Sequence, residues 1–105
     1  MDFTEIRLSG KTRREHDLLG EMEIPAEYYF GVQTMRAVEN FHISRVRLNF
    51  FPELIRALAD VKQGAAMANR DLGLLDPAIA DAIIRACEEL RAGKLDEQFV
   101  VDMVQ

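Results

Sequence analysis

Glu15-His16-Asp17 sets three side chains that can ligate a metal in immediate succession. A metal ion needs donors that converge, and neighbours in an extended segment point to opposite sides. The spacing therefore favours a solvated loop over a metal site. Gln33, Thr34, Arg36 and Asn40 form the densest polar constellation. A guanidinium there can grip a carboxylate with two parallel hydrogen bonds, and an amide and a hydroxyl beside it can orient the anion. Arg36 is accordingly the candidate substrate-binding residue. The plainer alternative, which spacing alone favours, is a capped short helix whose arginine fixes neighbouring carbonyls. His42, between Phe41 and Ile43, reads as a packed or partly exposed side chain rather than a catalytic base. No serine or cysteine stands near a histidine in a nucleophile pattern. Cys87 falls on an apolar helical stripe, where thiols are inert. The glycines are too scattered for a phosphate loop. The residues by themselves assign no catalytic group, no metal ligand and no cofactor.

Composition narrows the function classes. The 105 residues carry 13 lysines and arginines against 18 aspartates and glutamates, a formal charge of −5. A nucleic-acid partner requires a basic face, and Lys11, Arg13, Arg14, Arg45 and Arg47 are too few to make one. The longest uncharged run, Tyr28–Met35, is far short of the about 20 residues that span a membrane. Asp2 and Glu5 stand where a secretory signal would be positive. One cysteine can form neither an internal disulfide nor a cysteine metal cage, which fits a reducing, cytoplasmic setting.

The elements that must position these side chains fall into a punctuated first half and a periodic second half. Thr4–Leu8 alternates as an edge strand would. Glu15–Ile24 carries a turn signal at Leu19-Gly20 and reads as a short hairpin ended by Pro25. Val32–Phe41 reads as a short helix, and Phe50-Phe51 as an anchor in the core. Pro52 suits a first helical turn, and Leu54, Ile55, Leu58, Val61, Ala65, Ala68 and Leu72 follow as one apolar stripe, closed by Gly73. Asp76-Pro77 restarts a helix with the stripe Ile79, Ala80, Ile83, Ile84, Cys87 and Leu90, closed by Gly93. So short a loop makes the two helices an antiparallel hairpin over 52–92. Gly64-Ala65-Ala66-Met67-Ala68 either admits a second helix close by or reflects alanine's helix preference. The fold class is mainly α, with a helix hairpin and a short β-hairpin. No internal repeat or linker divides the chain.

The same residues resemble the amino-terminal signature of the aspartase/fumarase superfamily. The likeness runs through Arg13-x-Glu15-x-Asp17-x-x-Gly20, Ile24-Pro25-Ala26 and Gly31-Val32-Gln33-Thr34-Met35-Arg36-Ala37-Val38-Glu39-Asn40-Phe41. It continues in Ala65-Ala66-Met67-Ala68-Asn69, Gly73-Leu74-Leu75-Asp76 and Gly93-Lys94-Leu95-Asp96-Glu97-Gln98-Phe99. Aspartases are the closer branch: Leu18-Leu19-Gly20 replaces the Thr-Met-Gly typical of fumarases, and Phe99-Val100-Val101-Asp102 replaces Phe-Pro-Leu-Val. Phe30 departs from the usual Tyr or Trp, which removes a polar donor, and Val100 from a common proline or isoleucine.

The resemblance implies residues 1–12 as a leader and 13–105 as the amino-terminal domain of a larger lyase, with the central helical-bundle and C-terminal domains absent. It implies a whole enzyme that reversibly deaminates L-aspartate to fumarate and ammonia, as a homotetramer without cofactor. A Gly-Gly-Ala-Gly-Thr-Ser substrate loop would follow Gln105, so the stretch supplies none of the principal catalytic residues and is expected to be inactive alone. Two alternatives are the same domain of a class II fumarate hydratase and a non-catalytic helical interaction module.

Overall fold

The computed structural model describes residues 6–104. Its elements are β1 (Thr12–Asp17), β2 (Gly20–Pro25), α1 (Val32–Asn40), α2 (Pro52–Asp71) and α3 (Pro77–Arg91), with single 3-10 turns at Leu48–Phe50 and Asp96–Gln98. They group into two units: one gathers the described residues up to Phe50 with those from Glu97 onward, and the other is Phe51–Asp96. The architecture is the mainly α one, with a small two-stranded antiparallel sheet. Of the expected edge strand, Thr4 and Glu5 lie outside the described residues, and Ile6–Leu8 form no strand.

In the first unit, β1 and β2 pair antiparallel, with Asp17 opposite Gly20 and Thr12 opposite Pro25. The turn is therefore the two residues Leu18-Leu19. Among the described residues only Arg45 combines a side chain with positive φ, so the left-handed step of this turn falls on Gly20, at φ +126°. Glycine adopts it without a Cβ clash. Along β1 the half-buried side chains are Arg13, Glu15 and Asp17, while Thr12, Arg14 and His16 are exposed. The inner face of this strand is ionic. Ile24 on β2 and Val32 on α1 supply buried apolar contact. The segment from Gln98 runs back beside residues 46–49: Leu48 N–H donates to the Val101 carbonyl (2.9 Å) and Met103 N–H to the Val46 carbonyl (2.8 Å). Sequence periodicity left this pairing unread, because it spans too few residues to show alternation.

The second unit is the helix hairpin. Pro52 occupies the first turn of α2, and the Asp76 carboxylate accepts from Ala78 N–H at 2.8 Å to cap α3. Gly73 (φ +73°) and Gly93 (φ +77°) end the helices in left-handed conformation. After Gly73, Leu74 N–H reaches back to the Asn69 carbonyl at 2.8 Å. Polar side chains stitch the seam: Arg91 donates to Gln63 and to Asp60 (3.3 Å), and Arg70 to Asp81 (3.4 Å).

The α3 stripe turns inward as expected, with Ala80 and Cys87 buried, whereas the expected α2 stripe is largely exposed apart from Ile55. The buried residues of α2 are Ile55, Ala59 and Ala66, and those of α3 are Ala80 and Cys87. Small side chains let two helix backbones come close, and on α2 these are Ala59 and Ala66, off the expected line through Leu58, Val61, Ala65, Ala68 and Leu72. Leu58, Val61 and Leu72 stand 48%, 73% and 71% exposed on a second apolar face. Phe51 corrects another expectation. Its carbonyl accepts from Leu54 N–H (2.9 Å) at the start of α2, yet its ring is exposed instead of anchored.

A Cβ at Gly64 would meet nothing within 4 Å. Gly64→Ala should therefore raise stability by about 0.5–1 kcal/mol, through the unfolded chain's lost freedom. Ile55→Ala should lower it by about 2–5 kcal/mol, since Ile55 is fully buried. Urea denaturation measures both, and a destabilising Gly64→Ala would contradict this packing.

Candidate functional site

Three polar clusters organise the first unit, and each is built on residues of the signature quoted above. The first joins the β-turn to α1. Asp17, the last residue of β1, accepts from Arg36 Nε at 2.9 Å and Nη2 at 2.8 Å. Gln33 Nε2 donates to the same carboxylate at 2.8 Å, from one turn earlier on α1. Arg36 Nη2 also reaches the Gly20 carbonyl at 3.2 Å. The hydrogen bonds from Arg36 outweigh partial desolvation and, with the Leu19 N–H, hold the Asp17 carboxyl below its ordinary value. Asp17 in turn raises Arg36. The pair is largely screened from water, with side-chain exposures of 21% and 13%.

The second cluster centres on Arg13. Its Nη1 donates to the Tyr28 carbonyl and its Nη2 to the Phe30 carbonyl, both at 2.6 Å, while Nε pairs with Glu15. One guanidinium thus fixes the irregular chain between β2 and α1. Phe30, noted as a departure, stacks on Tyr28 with ring centroids 4.5 Å apart. Gln98 adds a tie, accepting from Tyr29 N–H at 2.7 Å and donating to the Glu27 carbonyl at 3.1 Å.

The third is Asp102, a carboxylate only 6% exposed. It accepts from Ser44 Oγ (2.7 Å), Ser44 N–H (3.1 Å), Arg45 N–H (2.7 Å) and Val104 N–H (2.8 Å). Burial pushes its pKa up, but these donors together prevail and leave it lowered. Reading the sequence missed Asp102 as a positioning residue. The available signal was an acidic residue in an otherwise apolar Phe99–Val104 run.

The structure thus rearranges the candidates. Glu15 and Asp17 are not in a solvated loop: they lie on a strand, half-buried and paired with arginines. His16 points the other way and is exposed. Among the described residues, no three His, Cys, Asp or Glu side chains are grouped to hold a metal. Of the four-residue constellation, Gln33 and Arg36 converge on Asp17, while no hydrogen bond brings Thr34 or Asn40 to it. Cys87 is buried and free. No helix among the described residues is long and apolar enough to cross a membrane.

Asp17 and Asp102 both have lowered pKa values in the fold, so their contribution is complete above the unfolded carboxylate value near about 4. It disappears as pH falls through the still lower folded values. The melting temperature should hold from neutral pH to about pH 5 and drop below about pH 4. Asp102→Asn should melt lower at neutral pH and show a shallower acid decline. Thermal melts across pH, followed by circular dichroism, check this.

A family model described as lyase matches residues 20–105. Aspartate ammonia-lyase from Pseudomonas aeruginosa is 54% identical over 96 residues, which cover 91% of this chain and 20% of that protein. Class II fumarate hydratase from Halobacterium salinarum is 52% identical over 98 residues, covering 93% and 20%. Among solved structures, the cobalt-bound crystal structure of fumarate lyase:delta crystallin from Brucella melitensis superimposes with a TM-score of 0.79 at 55% identity, over 88% of this chain and 20% of that one. The chain spans 20% of the length of these relatives. With the matched region taking in Gly20, Gln33, Arg36 and the Asp102 cluster, the chain belongs to the lyase family of the aspartase/fumarase superfamily.

Proposed function

We propose that this chain is the amino-terminal section, residues 13–105 after a short leader, of an aspartate ammonia-lyase that reversibly converts L-aspartate to fumarate and ammonia. Its likeness at about half identity to proteins of that name supports the reading. A class II fumarate hydratase is nearly as similar, and Asp102 supports the aspartase reading over it. In the fumarase pattern Phe-Pro-Leu-Val, valine takes this position, and a valine offers no acceptor to Ser44 Oγ or to the N–H groups of Ser44, Arg45 and Val104. Without Asp102 these donors lose a charged acceptor, which makes stronger hydrogen bonds than a neutral one, and this supports the aspartase reading.

The reaction itself is hard because the proton beside the side-chain carboxylate is barely acidic. Its removal creates an aci-carboxylate that only preorganised donors stabilise. The described residues hold no such set. Their part in this reading is to fix the path of the chain: Asp102 clamps the last described residues, from which the substrate loop would continue. Arg36 enters as a candidate for a substrate carboxylate through Nη1 alone, because Asp17 and Gly20 occupy its Nε and Nη2. The second apolar face of α2, with Leu58, Val61 and Leu72, would take the helical body of the longer, homotetrameric and cytoplasmic enzyme.

The test is to express the longer natural chain and supply L-aspartate. Fumarate and ammonia should appear in equal amounts, while the 105 residues alone give neither. Malate from fumarate with no ammonia from aspartate would favour the hydratase, and turnover by the short chain would sink the proposal.

A further inference from the structure

The turn between β1 and β2 is made of unexpected residues. Two-residue hairpin turns favour glycine, asparagine and aspartate, yet this one is Leu18-Leu19, with Leu18 fully exposed and Leu19 78% exposed. Single exposed hydrophobes are ordinary on a surface, but two in succession at a projecting tip form an apolar point suited to burial by a partner. The tip is also held from within. Leu19 N–H donates to the Asp17 carboxylate at 2.9 Å, and Gln33 and Arg36 fix that carboxylate from α1. Both leucines therefore project from ordered backbone, and less chain freedom is left to lose when they are covered.

A matching receptacle lies in the same unit. Beside Asp102 is an open groove of about 360 Å³, walled by Val38, Phe41 and Val100 and rimmed by His42, Arg45 and Arg47. Its volume falls in the range of about 300–1,000 Å³ that encloses small molecules, ample for two isobutyl groups. Neither Arg45 nor Arg47 joins an ion pair among the described residues, so the rim is cationic. The flank of the tip is acidic. Glu21, next after Gly20, is exposed and meets exposed Arg14 at 3.5 Å, a solvent-screened pair that contributes little. The tip cannot enter the groove of its own chain. Gln33 and Arg36 hold it on one side of α1, and Val38, two residues beyond Arg36, faces roughly 200° away round the helix.

We propose that the Leu18-Leu19 tip of one copy of this chain inserts into the Val38–Phe41–Val100 groove of a second copy. The apolar walls cover the leucines, and Glu21 meets the arginine rim. Tip and groove are different surfaces, so the contact is heterologous, and each joined pair still offers one groove and one tip to further copies. One tip in one groove is a small contact, and small contacts are weak and transient. Such association requires neither lyase nor hydratase activity and stands whichever reaction the longer enzyme performs.

Sedimentation velocity over protein concentrations from about 10 μM to about 1 mM tests it. The protein should pass from monomer through dimer to larger species. Replacing the tip (Leu18→Ser with Leu19→Ser) should raise the dissociation constant by about tenfold or more, as should Phe41→Ser or Arg47→Glu in the groove. Mixing the tip variant with Arg47→Glu leaves one intact tip and one intact groove, so the mixture should form a 1:1 dimer and stop there. Circular dichroism reports whether each variant is folded; if Phe41→Ser is not, Arg47→Glu decides. Leu58→Ser, on the second apolar face of α2, should leave the association unchanged. Association lost in folded Leu58→Ser but kept in the tip variant overturns the proposal. So does a mixture of folded variants that fails to dimerise. A monomer at every concentration also overturns it, leaving tip and groove to other segments of the longer chain.

Discussion

A carboxylate turned inward on a two-stranded ribbon loses hydration that only a well-placed cation can replace, and here the cation is on the next element. Asp17 closes β1, Arg36 sits one turn into α1, and their two-pronged contact fixes the helix against the hairpin turn. Nearly everything in the first unit follows from this constraint. Gln33 shares the carboxylate, and Gly20 must take the left-handed step that leaves its carbonyl to Arg36. With Arg13 holding the carbonyls of Tyr28 and Phe30, the irregular chain between strand and helix has its polar groups satisfied without a large apolar core. Two-stranded ribbons are marginal alone in water, and these clamps take the place of a third strand.

The helix hairpin is organised on the opposite principle. Its seam uses alanine and cysteine, which permit close approach, and leaves leucine and valine on another face of α2. Burying one such side chain is worth about 1.5–3 kcal/mol, so a helix with this pattern has a strong drive to acquire a second neighbour. A lyase family whose members are several times longer supplies a natural context for that face, which the hairpin alone leaves in water.

The β-hairpin, its turn, α1 and both helices of the second unit were legible in the sequence, because turn glycines, helix-starting prolines and the 3.6-residue period act locally. Which face of α2 would be buried was not legible. Hydrophobicity favours Leu58 and Val61, while the fit between backbones favours Ala59 and Ala66, and only the partner helix decides. The site was half legible. Arg36 was singled out for its reach toward a carboxylate, but nothing in the spacing says that the carboxylate belongs to Asp17, 19 residues earlier. Asp102 was harder still, since its partners at Ser44 and Arg45 are 58 and 57 residues away.

The central claim is that Asp17 and Arg36 act as one unit that orders the hairpin and α1 together. Amide hydrogen exchange, read residue by residue in Asp17→Ala, Arg36→Ala and the double variant, tests it most directly. The account predicts that either single change speeds exchange in both β1–β2 and α1, and that the double variant is scarcely faster than the singles. Independent, additive effects of the two substitutions, or faster exchange in only one of the two elements, would contradict it.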